Sequence, residues 1–376
     1  MKVALISFHT FFSPGGVKTH IFGLYKEFKK RGIETKIIIP RRRLKEKYQK
    51  DIILLGTSFP IRFGGGVSDI DVNFNPVSIE RVLRKEKFDV LHFHNFSFPS
   101  GLQILLSPTT FKTLNILTFH SDISRSKFFQ RFPQILKPFI KFCDLRIDGV
   151  IAVSKVAYDT FKEYRGPKII LPNGVDLERF NPKVPKIEKY LDGKINILFV
   201  GRIEKRKGLI YLLKAYEILQ KKFPNLRLIV VGDGPLREKC QKYAKDNGLK
   251  EVIFEGAKED PSPYFASSHI FCAPSIFGES FGIVILEAMA SGLPVVAFAN
   301  EGYKSWLKGK KGEKFLVEPK DFKKLAQKIE ILIRNSKLRE EMGKWGINEA
   351  KKYSFSKIAQ KVLDFYSFCQ KEKLKK

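Results

Sequence analysis

The sequence predicts an α/β protein built from two parallel-sheet domains, and three observations support this fold class. The chain has 376 residues, which is enough for two domains of ordinary size. Short, almost continuously apolar runs alternate with longer segments of helical period, a pattern typical of strands covered on both faces by helices. The alternation is interrupted at 172–194 by a polar, proline-containing stretch, and then starts again.

The break at 172–194 fixes the predicted domain boundaries. Residues 1–172 are expected to form the first domain, 173–194 a linker, and 195–355 the second domain, followed by the segment 356–376. The predicted strands of the first domain are 2–8, 35–39, 52–55, 88–93, 114–119, 149–153 and 168–171. Those of the second are 195–200, 226–231, 252–254, 269–273 and 294–298. Residues 356–370 form an amphipathic helix in this interpretation, and 371–376 are expected to fray.

The charge of the chain is its unusual compositional feature. Lys and Arg number 69 and Asp and Glu 39, a net charge of +30, which points to a polyanionic partner such as nucleic acid, an anionic membrane or a phosphorylated small molecule. The 29% charged and 43% hydrophobic content excludes a disordered chain or a small disulfide scaffold. The four cysteines have no metal-ligand spacing, no metal site is predicted, and no apolar run is long enough to span a bilayer.

Unusual residues follow six of the predicted strands. Because ligands of open parallel sheets bind beyond the carboxyl ends of the strands, these residues predict a cleft between the two domains. The segments are Pro14–Val17, His120, Pro172–Asp176, Gly201–Gly208, Gly232–Pro235 and Ser275–Glu287.

Two of these segments suit a phosphorylated ligand. Gly15 and Gly16 allow close approach of the backbone and precede a helix start, although an ordinary strand-to-helix turn explains them as well. Arg202 and Lys207 could clamp a diphosphate and stabilise it as a leaving group, the alternative being a solvated basic helix start.

Two carboxylates and one imidazole complete the candidate site. Glu279 precedes a helix and could accept hydrogen bonds from sugar hydroxyls, while Glu287 lies within that apolar helix and could bind a ribose. His120 could contact a reacting centre, and a structural histidine is the alternative. The Asp69–Asp71 pair matches a metal–nucleotide motif of another fold and is interpreted as coincidence in a turn-rich stretch.

Two basic amphipathic segments indicate an anionic membrane surface. Arg81, Arg84 and Lys85 share one side of the segment 78–88, and basic residues interleave with aromatic ones over 123–142. A solvated, core-facing surface helix is the alternative for each segment.

The ordered motifs resemble the retaining glycosyltransferases of family 4, which have the GT-B fold, and the likeness covers essentially the whole chain. They are GGV (15–17), TFH (118–120), PNGVD (172–176), GR…KG (201–208), VGDGPL (231–236) and ESFGIVILE (279–287). Within the family the likeness is strongest to enzymes that mannosylate phosphatidylinositol. The departures are Lys18, where a neutral polar residue is usual, and the GGGVSDID stretch, and both bear on the acceptor.

The resemblance implies two Rossmann-like domains with parallel sheets facing across an interdomain cleft, and a final helix that returns to the first domain. Catalysis is assigned to His120 near the anomeric carbon, Glu279 on the sugar, and Arg202 and Lys207 on the diphosphate. Donor contacts are assigned to Gly15, Gly16, Asn173, Gly232, Phe281, Gly282, Ile283 and Glu287. Acceptor or membrane contacts are assigned to Lys18, Arg81, Arg84 and Lys85.

The predicted function is retaining transfer of a hexose, mannose from GDP-mannose, to a lipid such as phosphatidylinositol on the inner face of the cell membrane. No cofactor beyond the nucleotide-sugar is obligatory, and a divalent cation could accompany the donor without a protein metal site. One alternative is a UDP-sugar-dependent glucosyl- or galactosyltransferase acting on diacylglycerol or a glycan. The other is a nucleic-acid-binding protein, which the interspersed basic residues disfavour.

Overall fold

The apolar runs of the chain form the strands of two sheets, as seen in a computed structural model that describes residues 1–11, 15–43, 46, 48–63, 66–121, 131 and 133–375. The chain divides into two compact units. The first unit comprises Met1–Gly174 together with Phe355–Lys376, and the second comprises Val175–Ser354. The C-terminal segment therefore belongs in space to the unit from which it is most distant in sequence.

Within the described residues, the sheet of the first unit has eight strands in the order β4-β3-β2-β1-β5-β6-β7-β8. They are β1 (Lys2–Ser7), β2 (Glu34–Arg41), β3 (Ile52–Phe63), β4 (Gly66–Val72), β5 (Val90–His94), β6 (Leu114–Phe119), β7 (Gly149–Ala152) and β8 (Lys168–Ile170). Every neighbouring pair is parallel except β3 and β4, which form an antiparallel hairpin at one edge. Strands β1 and β5 are buried along almost their whole length because helices cover both faces.

The sheet of the second unit has six parallel strands in the order β11-β10-β9-β12-β13-β14. They are β9 (Ile195–Val200), β10 (Leu226–Val231), β11 (Val252–Gly256), β12 (Ile270–Ala273), β13 (Val295–Phe298) and β14 (Leu316–Val317). Numbered within the unit, this is the doubly wound order 3-2-1-4-5-6 of a Rossmann domain. The seven parallel strands of the first unit begin with the same arrangement.

Helices connect the strands in both units. In the described part of the first 174 residues they are α1 (Gly16–Lys30), α2 (Pro76–Glu86), α3 (Ser100–Leu105), α4 (Leu136–Arg146) and α5 (Lys155–Thr160). The second unit contains α6 (Leu209–Gln220), α7 (Arg237–Asp246), α8 (Ser262–Ala266), α9 (Ile283–Ala290), α10 (Glu301–Leu307), α11 (Phe322–Arg334) and α12 (Ser336–Ala350), and α13 (Phe355–Leu374) follows. Short 3-10 helices lie at Pro108–Phe111, Pro133–Ile135, Glu188–Tyr190, Lys205–Lys207, Lys311–Phe315 and Lys351–Tyr353.

Helix α13 completes the core of the first unit. Its residues Ile358, Val362, Phe365 and Tyr366 are buried in the same cluster as the apolar side chains of β1 and α1. Among the residues that the structure describes, no helix combines the length and the apolar character needed to cross a bilayer.

Two expectations about local structure were wrong, and one short strand was not predicted. The turn-rich stretch around Asp69–Asp71 is strand β4, whose antiparallel pairing with β3 satisfies the backbone groups on one of its two edges despite the polar sequence. Strand β14 has two residues, too few to give a pattern in the sequence. The expected frayed end is helical to Leu374, where Lys373 Nζ lies 2.9 Å from an Asp148 carboxylate oxygen.

Candidate active site

In the second unit, the segments after β9 and β12 lie side by side because these two strands are neighbours at the centre of the sheet. The chain runs from β9 toward β10 on one side, and β12 lies on the other side. This is the point at which the strand order reverses, where ligands of doubly wound sheets bind. Residues 201–208 follow β9 and residues 274–279 follow β12, so the topology brings the basic and acidic candidates together.

The carboxylate of Glu279 is the centre of this arrangement. Its Oε1 lies 2.5 Å from Lys207 Nζ and 3.2 Å from Arg206 Nη1, and its side chain is only 9% exposed. Burial raises the pKa of Glu279, but the charges of Lys207 and Arg206 outweigh it and hold the pKa below its usual value. Glu279 is therefore an anion that accepts from two cations.

A second carboxylate extends the cluster. Glu204 is buried and pairs with Arg206 at 2.5 Å and with Arg202 at 3.5 Å. Arg202, which was predicted to act beside Lys207, thus reaches the cluster through Glu204, and Arg206 takes the place beside Glu279. The three cations exceed the two carboxylates by one positive charge, which favours an anionic ligand.

Two glycines allow the backbone around this cluster to pack closely. Gly232 has φ +139°, and a Cβ there would lie 1.9 Å from the carbonyl oxygen of Gly201. Gly282 has φ +85° at the start of α9, and a Cβ there would lie 2.1 Å from the ring of Tyr303. Side chains at either position would push the loops apart, so the sequence requires glycine in both.

The remaining predicted donor residues lie around the start of α9. Phe281 is buried, with its ring centroid 6.4 Å from that of Tyr353, and Ile283 is the first residue of the helix. Glu287 lies one turn further on, is 7% exposed, and its pKa is raised to about 7 by burial, which the nearby charge of Arg179 only partly opposes. The structure therefore places an easily protonated carboxyl inside an apolar helix.

The matching place in the first unit is the carboxyl edge of β1, β5 and β6, which are consecutive in the sheet. His94 ends β5, and His120 follows β6 directly. His20 lies on the buried face of α1. The ring centroid of His20 is 5.4 Å from that of His94 and 5.0 Å from that of His120, so three imidazoles meet here.

These imidazoles are neutral. Burial lowers the pKa of His20 to about 3, and burial with neighbouring histidines lowers the pKa of His94 and His120 well below the usual value. The side chain of Asn173 opposes this lowering at His120. The predicted residues His120 and Asn173 are therefore brought together, at an edge that carries polarity without charge.

The predicted glycine turn and Lys18 lie at the start of α1. Gly15 is the N-cap of the helix with an extended backbone, and Gly16 begins it; both are exposed. Lys18 Nζ donates to the carbonyl oxygen of Phe11 at 2.9 Å and lies over the Phe11 ring. The ammonium is thereby directed toward the loop that follows β1.

The basic residues predicted to face a membrane lie on α2. Arg81, Arg84 and Lys85 are exposed, while Ile79 and Leu83 are buried against the unit. Glu80 binds Arg84 at 2.5 Å. Of the second predicted segment, 123–142, residues 123–130 and 132 lie outside the described part of the chain; α4 begins at Leu136.

Sequence reasoning missed four residues of these clusters, and Glu204, which pairs with Arg202 and Arg206, is one of them. The sequence did not distinguish Arg206 from its basic neighbours Lys205 and Lys207. The direction of each side chain depends on the 3-10 helix that the three residues form. His20 and His94 gave no signal, because a histidine in an apolar helix or strand looks structural. His92 and His94 are two residues apart on β5, so both lie on the same face of the strand.

Comparisons with known proteins identify the family. A model described as Glycosyl transferases group 1 matches residues 181–349, and one described as Glycosyltransferase Family 4 matches residues 14–179. The phosphatidyl-myo-inositol mannosyltransferase of Mycobacterium leprae is 31% identical over 379 residues, which cover 97% of this chain and 96% of the relative. This chain belongs to glycosyltransferase family 4. The resemblance of the motifs is confirmed, and the protein is a nucleotide-sugar-dependent hexosyltransferase.

Solved structures agree on the fold. HepE of Anabaena, in complex with UDP and glucose, matches with a TM-score of 0.75 and 19% identity, over 98% of this chain and 99% of that one. TarM of S. aureus, in complex with Fondaparinux, alpha-GlcNAc-glycerol and UDP, matches with a TM-score of 0.75 and 15% identity, over 97% and 99%. The predicted GT-B fold, with two Rossmann-like domains, is confirmed.

Proposed function

We propose that this glycosyltransferase transfers mannose from GDP-mannose, with retention of configuration, to phosphatidylinositol or a lipid with a similar anionic head group. The observation that carries the proposal is the 31% identity, over 97% of the chain, to a relative named phosphatidyl-myo-inositol mannosyltransferase. The charged and neutral clusters described above supply chemistry that suits it.

The Glu279 cluster is proposed to bind the donor diphosphate. Arg202, Arg206 and Lys207 present guanidinium and ammonium groups beside one another, and charge-assisted hydrogen bonds from such groups stabilise phosphate oxygens. As the bond between the anomeric carbon and the diphosphate breaks, negative charge grows on the leaving oxygen. Cations already held in place by Glu204 and Glu279 stabilise that charge without first reorganising.

The carboxylates and the imidazole are proposed to position the sugars. Glu279 accepts hydrogen bonds from hexose hydroxyls, and Glu287 accepts from the ribose. His120, neutral and beside Asn173, contacts the hexose near its anomeric carbon. Retention would follow from attack of the acceptor on the face that the diphosphate leaves, with the departing phosphate accepting the acceptor's proton.

Helix α2 is proposed to attach the enzyme peripherally to the inner face of the cell membrane. Val77, Arg81, Arg84 and Lys85 project from neighbouring turns, and Val77 is 66% exposed. Phe74, just before the helix, is 74% exposed. Apolar side chains that enter the interface, flanked by cations that meet anionic lipid, are the two requirements for such binding.

A donor panel tests the proposal. Purified enzyme with phosphatidylinositol vesicles is given GDP-mannose, UDP-glucose and UDP-galactose, and the free nucleotide and the anomer of the glycolipid are measured. Release of GDP with formation of an α-mannolipid is expected. The second candidate, a UDP-sugar-dependent transferase, is favoured by the likeness to HepE, whose structure contains UDP and glucose; release of UDP alone would establish it.

A further inference from the structure

The three imidazoles of the first unit have the arrangement of an incomplete metal site. One ring nitrogen from each of His20, His94 and His120 lies within 4.8 Å of the other two. His94 Nδ1 and His120 Nε2 are 3.1 Å apart. In a tetrahedral site with metal–nitrogen bonds of about 2.0–2.1 Å, two ligand nitrogens are roughly 3.3 Å apart. One pair therefore already has the spacing of two ligands on one ion.

Two of these three rings have a buried nitrogen without a hydrogen-bond partner among the described residues. His20 Nδ1 and His94 Nε2 are buried, and neither has a hydrogen-bond partner among the described residues. The side chains themselves are almost completely enclosed, with exposures of 2% for His20 and none for His94. Buried polar atoms are normally satisfied, so an unpartnered nitrogen on each of two neighbouring rings indicates that the cluster lacks a ligand. Each ring offers one nitrogen to an ion, so His94 would bind through Nδ1 or Nε2 but not through both.

His92 provides an internal comparison. It lies two residues before His94 on the same face of β5, and its ring centroid is 4.3 Å from that of His94. Its Nε2 bonds Thr118 Oγ1 and its Nδ1 bonds the Tyr366 hydroxyl, both at 2.6 Å. The fold can thus supply hydrogen-bond partners for both ring nitrogens of a buried histidine here. It does so for His92 but not for His20 and His94.

We propose that His20, His94 and His120 bind a divalent transition-metal ion of the zinc type, with a fourth position open. Neutral imidazole is a preferred ligand of Zn²⁺, Ni²⁺ and Cu²⁺, whereas Mg²⁺ prefers oxygen. His120 is partly exposed, which gives the ion a route to the site. A bound ion would also hold the ring that the proposed function assigns to the hexose, so we expect Zn²⁺ to inhibit transfer; this consequence alone depends on the proposed function.

Metal titration of the full chain, prepared without a histidine tag and without donor, tests the site. Zn²⁺ binding is followed by calorimetry, and Co²⁺ binding by the visible absorption that a site of low coordination number gives. One ion per chain is expected. His20→Gln and His94→Gln should each weaken binding by about a hundredfold or more, since each removes one ligand.

The control is His269→Gln, which removes an exposed histidine of the second unit whose Nδ1 accepts from the backbone N–H of Asn196. It should bind Zn²⁺ as the wild type does, and excess Mg²⁺ should not compete. Thermal melting, recorded for each variant, reports folding, and Zn²⁺ should raise the melting temperature of the wild type but not of His94→Gln. Absence of saturable binding, or equal binding by all four proteins, would overturn the proposal.

Discussion

The charged cluster around Glu279 and the histidine cluster of His20, His94 and His120 lie at equivalent places in their sheets. They differ in whether their buried polar groups carry charge. Around Glu279, each of the three cations and two carboxylates has a partner of opposite charge within 2.5 to 3.5 Å, and one positive charge is in excess. Around His120 the groups are neutral, because burial keeps protons off the imidazoles and lowers their pKa. An enclosed charge is tolerated when it is paired, and an enclosed base when it stays neutral. The charged edge of the second unit therefore suits a diphosphate, and the neutral edge of the first unit suits hydroxyl groups.

Removing a cation from the charged cluster should have the largest effect. We expect Lys207→Ala to lower kcat/KM about a thousandfold, roughly 4 kcal/mol of transition-state stabilisation, because the diphosphate loses a preorganised partner. Glu279→Ala should be similarly inactive. The matched control is Lys205→Ala, an exposed neighbour in the same 3-10 helix, with little expected change. Steady-state turnover within tenfold of wild type in both active-site variants would refute the assignment.

The pH dependence of stability should distinguish the carboxyls of the second unit. The pKa of Glu287 is about 7 when folded against an ordinary 4.5, so between these values the folded state binds more protons than the unfolded state. The free energy of unfolding should therefore decrease as pH rises through this window, by at most about 3 kcal/mol. Urea unfolding of the wild type and Glu287→Gln measures it.

The Glu287→Gln variant should lose that decrease, because an amide does not titrate. Glu279 acts in the opposite direction: its pKa is lowered, so its contribution to stability is present at neutral pH and is lost as pH falls through the acidic range. Parallel pH profiles for wild type and Glu287→Gln would contradict the prediction.

Truncating His120 in the neutral cluster should reduce activity less than truncating Lys207 in the charged cluster. We expect His120→Ala to reduce kcat about tenfold, the effect of one neutral hydrogen bond, about 1.4 kcal/mol. Binding of GDP should not change, since the imidazole is assigned to the hexose, whereas Lys207→Ala should weaken it. Calorimetric titration of GDP into both variants separates the two roles, and equal weakening by His120→Ala would remove the distinction.

The smallest expected effect concerns the membrane. Arg81→Ala should weaken binding to vesicles containing phosphatidylserine about fivefold, or about 1 kcal/mol for one cation near the surface, and added salt should reduce the difference. Lys242→Ala, on the exposed side of α7 in the second unit, is the control of equal charge. Co-sedimentation measures both; an equal loss for Lys242→Ala would show that only total charge matters.

The sequence predicted the strands well where long apolar runs enter a parallel sheet. The runs 2–8 and 195–200 became β1 and β9, because a strand buried on both faces leaves an unmistakable pattern. The hairpin partner β4 was not predicted, because its sequence GVSDIDV mixes polar and apolar residues and contains no continuous apolar run. Its buried Asp71, with a pKa raised by burial, is a feature that composition cannot reveal.

The candidate site was predictable to the level of the segment and not of the side chain. Glycines and charges after successive strands located the loops, since the carboxyl ends of parallel strands share one edge. Which of Arg202, Arg206 and Lys207 meets Glu279 depends on the direction of each side chain within one turn of helix. The same holds for His20, whose approach to His120 depends on how α1 packs.

The place of α13 has a consequence for how the protein is made. During synthesis residues 1–174 leave the ribosome first, yet Tyr366, the partner of His92, and the apolar face of α13 emerge some 180 residues later. A nascent first unit must keep the surface that will receive Val362 and Phe365 uncovered until then. The second unit, continuous in sequence, has all of its strands available earlier. The first unit begins to emerge from the ribosome earlier, but the second unit should therefore complete its folding first.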